Sequence, residues 1–168
     1  MSQVETMVRM GEYAVSGAGE VLVSIGLGSC IGLALIDPAR EIAGLAHVML
    51  PTSLEGSDAT QLGKYADTAL PALLADLLAL GARRARLDAV LVGGAQMFAF
   101  GKNSLDVGSR NEAAARAALV SARLPVRAAA VGGSTGRTVR VHPSTGIVTV
   151  KSAGVPETEL FSSGAKRR

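Results

Sequence analysis

The stretch Val21–Ile36, VLVSIGLGSCIGLALI, is uncharged from end to end and holds the only cysteine of the chain, Cys30. Glycines at positions 28 and 32 flank that cysteine. The thiol therefore falls on a Gly-rich turn between two strand-like runs, VLVSI and LALI. A bare turn leaves peptide N–H groups free to face an anion. A thiol beside such groups suits a nucleophile with an oxyanion hole built around Gly28 and Ser29. The same pattern also suits a small buried hydrophobe, a common role for a lone cysteine in an apolar run.

The first of only two histidines follows in GLAHVMLP, at His47. Cys30 and His47 would end two neighbouring extended segments, and antiparallel pairing can bring such residues face to face. An imidazolium beside a thiol stabilises the thiolate near neutral pH. A single His in an apolar strand is equally a hydrogen-bonded core residue, so both readings stand at this point.

With 168 residues the chain is long enough for one domain with a real core. Aromatics are only 3% against 48% hydrophobic residues, so that core must be built from Ala, Val, Leu and Ile. A net charge of +3 is too mild to argue for nucleic acid, and no interleaved aromatics offer a stacking platform. One cysteine excludes an intramolecular disulfide and a multi-Cys zinc site, and fits a reduced, cytoplasmic setting. A spanning helix needs about 20 apolar residues, and Val21–Ile36 is shorter and broken by glycine. Glu5, Arg9 and Glu12 stand where a signal peptide would be apolar, so no targeting segment is expected.

Loose alternation over residues 3–15 suggests a strand. Further strands are expected at Val21–Gly26, Gly32–Ile36, Glu41–Leu50, Leu87–Val92, Val126–Val131, Arg137–His142 and Ile147–Lys151. Leucines and alanines at three- and four-residue steps predict a helix over Leu62–Leu80, with Pro71 expected to kink or delay it and Gly81 to stop it. The basic cluster Arg83, Arg84 and Arg86 then complements the negative end of that helix. The spacing of Ser109 and Glu112 predicts a capping box opening a second helix, which runs to about Arg123. Thr52–Gln61 reads as a surface loop near the histidine and a candidate lid. GLGSCIG has the wrong glycine spacing for a dinucleotide fingerprint and leads into a strand rather than a helix. GGSTGR (132–137) lacks the lysine and helix of a phosphate loop, and His142 sits in a terminal turn with no catalytic role. The order of elements is an α+β pattern. A single domain over 1–168 is expected, with residues from about 158 as a flexible tail.

Nine pieces run in order along nearly the whole chain: LGSC (27–30), DP (37–38), GLAHVMLP (44–51), KYAD (64–67), GARRARL (81–87), GGAQMF (93–98), VGSRN (107–111), GGSTGR (132–137) and HPSTGIVTVK (142–151). In these the sequence resembles the CheD family of chemotaxis receptor glutamine deamidases. The resemblance implies a β-sandwich-like mixed-sheet core flanked by two main helices, similar to toxin-type cysteine deamidases. It places the family's catalytic cysteine on Cys30, its histidine on His47 and its third residue, usually Thr, on Ser24. In that role the Ser24 hydroxyl would accept from the second imidazole nitrogen. The implied reaction turns glutamine side chains on the cytoplasmic helices of methyl-accepting chemotaxis receptors into glutamate plus ammonia. It passes through a thioester and needs no metal or organic cofactor. Two alternatives are a non-catalytic regulator that binds receptors or the phosphatase CheC, and a more general cysteine amidase or peptidase. The departures from the family pattern are Ser for Thr at 24, Val90 where Lys is common, and Ala130 where Asp is common.

Overall fold

In a computed structural model the chain is described over residues 3–53, 61–97 and 106–163. Among the described residues, ten strands form two five-stranded sheets. In chain order the strands are β1 (Glu5–Met7), β2 (Tyr13–Ser16), β3 (Val21–Leu27), β4 (Ile31–Asp37), β5 (Ile42–Val48), β6 (Asp88–Gly93), β7 (Val126–Val131), β8 (Arg137–His142), β9 (Ile147–Ser152) and β10 (Thr158–Ser162). One sheet has the order β1-β3-β8-β9-β10 and the other β2-β5-β4-β6-β7. The helices are α1 (Ala66–Leu80) and α2 (Val107–Ser121). The α+β reading with two main helices is what the structure has.

Alternation along the central strands divides the core into two layers. Ala34, Ile36, Ala43, Leu45, Val90 and Val92 face the other sheet and meet Leu22, Leu27, Val139, Val141 and Val148. Ile31, Leu33, Leu35, Ala46 and Val48 face the opposite way, onto Leu70, Leu73 and Leu77 of α1 and Ala115 and Leu119 of α2. With both faces covered, β4 and β5 are buried at every position, which is why LALI and IAGLAHV read as continuous apolar runs.

Several boundaries differ from the sequence reading. The expected strand in residues 3–15 is two short strands in different sheets, separated at Gly11, whose φ is +80°. Leu62–Lys64 is a separate 3-10 turn, and α1 starts at Ala66 with Pro71 inside it. Gly81, at φ +109°, ends α1 as expected. Within the basic cluster, the Arg84 side chain donates to the carbonyl of Ala122 at the end of α2, and the Arg83 backbone amide donates to Asp37 Oδ2 at 2.7 Å. The cap of α2 is Asp106 rather than Ser109. Asp106 Oδ1 accepts from the Ser109 amide at 2.9 Å, while Glu112 pairs with Arg116 one turn on. A carboxylate three residues earlier offers a charged acceptor to the Ser109 amide, the one Glu112 would have accepted from in a capping box. The tail expected to be flexible from about 158 instead supplies β10, paired antiparallel with β9. Residues 54–60, most of the expected lid, lie outside the described residues, as do 164–168 of the tail.

Candidate functional site

Cys30 immediately precedes β4, and His47 is the sixth residue of β5. The antiparallel register pairs Ile31 with Val48 and Gly32 with His47. Cys30 shares the parity of Gly32, so thiol and imidazole are diagonal neighbours on the face turned toward the other sheet, a separation of about 7–8 Å or less. Directly opposite His47 stands Gly32, which puts no side chain between them. An added Cβ there would stand 3.0 Å from Leu27 Cδ1 and 3.3 Å from Val139 Cγ1, so the layer is closely packed. No hydrogen bond joins Cys30 to His47 in this structure.

The imidazole is held from the far side. His47 Nδ1 lies 3.2 Å from the carbonyl oxygen of Val8. A carbonyl only accepts, so Nδ1 carries the proton and Nε2 keeps its lone pair in the neutral ring. Backbone bonds fix the strand itself: the His47 amide donates to Glu12 O and the Gly11 amide to His47 O, each at 2.9 Å. Ser24, fully buried on β3, donates its hydroxyl to the same Val8 carbonyl at 2.8 Å. The structure therefore corrects the expected contact. Ser24 does not accept from the imidazole; the two side chains share one backbone acceptor, which has two lone pairs to offer.

Burial sets the protonation of the pair. It pushes the half-buried Cys30 thiol above its ordinary value. It also pushes His47 down, against the opposing pull of the Val8 hydrogen bond and the Glu12 charge. Desolvation disfavours both charged forms. Both shifts favour the neutral thiol and the neutral imidazole over a thiolate–imidazolium pair.

The turn that carries Cys30 is pinned through its carbonyls. Gly28 O accepts from the Ala95 amide at 2.8 Å and Cys30 O from the Gly94 amide at 2.9 Å. Ser29 O accepts from Asn111 Nδ2 at 2.8 Å. Among the described residues the amides of Gly28, Ser29 and Cys30 have no acceptor. The glycine pair 93–94 makes this approach possible, because a Cβ on Gly93 would stand 2.2 Å from Cys30 O. A cavity of about 440 Å³ opens beside His47 and is lined also by Met7, Val8, Arg9, Met10 and Ile25.

Two groups here carry no pattern that points to a site. The Val8 carbonyl is a backbone atom, invisible in a side-chain alphabet. Asn111 lies within VGSRN, where the spacing of Ser109 and Glu112 speaks of a helix cap instead. A fully buried Asn inside a helix is unfavourable there without a partner, and that is the signal it offers.

A thiol and an imidazole thus share one inner face between the two sheets, with a pinned glycine turn under the thiol. The chain belongs to the CheD family, whose model, described as CheD chemotactic sensory transduction, matches residues 49–152. A relative from Lachnoclostridium phytofermentans is 39% identical over 155 residues, covering 91% of this chain and 96% of its own length. One from Clostridium kluyveri is 39% identical over 158 residues, covering 93% and 98%. One from Methanococcus vannielii is 44% identical over 144 residues, covering 86% and 92%. Each is named "Probable chemoreceptor glutamine deamidase CheD". No helix among the described residues is long and apolar enough to cross a membrane.

Proposed function

We propose that this chain is a chemoreceptor glutamine deamidase that acts in the cytoplasm on the helices of methyl-accepting receptors. The observation that carries the reading is the placement of Cys30 and His47 on one inner sheet face, with Nδ1 of the imidazole committed to Val8 O. That leaves Nε2 as the base. As Cys30 Sγ attacks the glutamine amide carbon, the thiol proton passes to His47 Nε2. The carbonyl oxygen becomes an oxyanion beside the unpartnered amides of the 28–30 turn, an electrostatic stabilisation that is commonly large. His47 then gives the proton to the leaving nitrogen, and ammonia departs as the thioester forms. Water adds to the thioester carbon and loses a proton to Nε2. The carbon–sulfur bond breaks, and the sulfur takes the proton back as glutamate is released. Ser24 supports the imidazole at second hand, by holding the carbonyl that holds the ring.

The test is intact-mass analysis of a receptor cytoplasmic fragment before and after incubation, with wild type and Cys30→Ala. The expected outcome is amide-to-acid conversion by wild type alone. Conversion at the wild-type rate by Cys30→Ala would refute the nucleophile. A regulator acting by binding CheC or receptors would keep its effect without the thiol, and a peptidase would yield cleaved fragments.

A further inference from the structure

Asn111 is fully buried on the second turn of α2. Its Nδ2 donates to two carbonyls, Ser29 O at 2.8 Å and Met49 O at 3.0 Å. Ser29 directly precedes Cys30, and Met49 lies two residues past His47. Both partners are acceptors only, so the two N–H bonds of one amide are used up and its orientation is fixed. Oδ1 is left buried with no partner among the described residues, so the arrangement bears the desolvation of an unpaired acceptor. The helix reaches this depth because Gly108 lies against the 94–95 backbone, where a Cβ would come within 2.4 Å of Ala95 O.

A peptide unit is planar and trans, so its C=O and N–H point in opposite directions. Gripping Ser29 O therefore also aims the N–H of Cys30. We propose that Asn111 is a positioning residue that orients the Cys30 N–H as an oxyanion donor, by holding the other end of the same peptide plane. The Ala95 amide does the same for Ser29 N–H through Gly28 O. The inference deepens the reading of Cys30 as a nucleophile and rests on it.

Two reactions of the same thiol separate this role from general support. Acylation of Cys30 by p-nitrophenyl acetate forms the sulfur–carbonyl bond through an oxyanion and expels p-nitrophenolate. Alkylation by iodoacetamide forms a sulfur–carbon bond, expels iodide and develops no carbonyl oxyanion. Losing an oxyanion donor outright costs about 10²–10³ in rate, so a misaimed one in Asn111→Ala should slow acylation by about 10- to 100-fold. Alkylation should stay close to the wild-type rate. Asn111→Ser, which cannot span both carbonyls, should show the same split and carries the test if the alanine variant does not fold. Unchanged acylation, or acylation and alkylation falling in parallel, would overturn the proposal. Wild type that is acylated at Cys30 yet leaves receptor glutamines intact would sink the substrate assignment alone.

Discussion

Replacing Gly93 by alanine should loosen the seat of the thiol more than any ordinary glycine substitution in this chain. The new Cβ would stand 2.2 Å from Cys30 O and 3.3 Å from Cys30 C. Even a close carbon–oxygen contact needs about 3.3 Å, so the two segments must part by roughly 1 Å. Gly93 also has φ +115°, and holding a side chain in so sparsely populated a region costs about 1–3 kcal/mol. Parting the segments strains the bonds from Gly94 N to Cys30 O and from Ala95 N to Gly28 O, each worth about 0.5–1.5 kcal/mol. The total loss is about 2–6 kcal/mol. Gly154 supplies the control: its φ is +74° and nothing lies within 4 Å of an added Cβ, so Gly154→Ala should lose only about 1–2 kcal/mol of backbone strain. Urea unfolding followed by circular dichroism measures both, with Cys30 acylation as a second readout. If Gly93→Ala loses no more than Gly154→Ala, the close approach does not constrain the turn and the reasoning fails.

Deamidation should rise with pH as His47 loses its proton, with a midpoint below the ordinary histidine value of 6.5, because burial lowers it; a midpoint at or above 6.5 in kcat/KM would contradict a buried neutral base. The same shift makes folding pH-dependent: the unfolded chain binds this proton first, so stability is full above pH 6.5 and is lost as pH falls toward the depressed value. Thermal melts across that window should be flatter for His47→Gln than for wild type. Alkylation of Cys30 should be slow at neutral pH and rise only at alkaline pH, since burial raises the thiol above its ordinary value; a fast plateau near pH 7 would restore the thiolate–imidazolium pair. Ser24→Ala should lower kcat by about 3- to 10-fold, the equivalent of one shared neutral hydrogen bond, since Val8 O keeps its bond to His47. A collapse of the size expected for Cys30→Ala would mean that Ser24 acts on the ring directly.

The parts of this fold and site that show in the sequence are those written in side-chain patterns. Cys30 on its glycine turn and His47 on an apolar strand are visible because each interrupts a hydrophobic run, and the antiparallel register then puts them on one face. The parts that do not show depend on backbone atoms or on choices between near-equal local signals. Ser109 and Glu112 fit a capping box, but Asp106 lies one turn earlier and binds the same amide. The β10 segment is short and carries only Leu160 and Phe161 as apolar residues, and its pairing with β9 and their packing on the core make it a strand. Asn111 looks like one more polar residue at the start of a helix until Gly108 lets that helix close onto Gly94 and Ala95.

The imidazole of His47 and the hydroxyl of Ser24 both rest on the carbonyl of Val8. Every amino acid carries that atom, so no single substitution at position 8 can delete it. A missense screen of the site would find the histidine and pass over its anchor. The side chain there packs in the core and lines the cavity beside the ring, while the course of the chain, tied by Val8 N to Val23 O at 2.7 Å, is what positions the carbonyl. An insertion or deletion between β1 and β2 would therefore strike the chemistry harder than any exchange of letters within it.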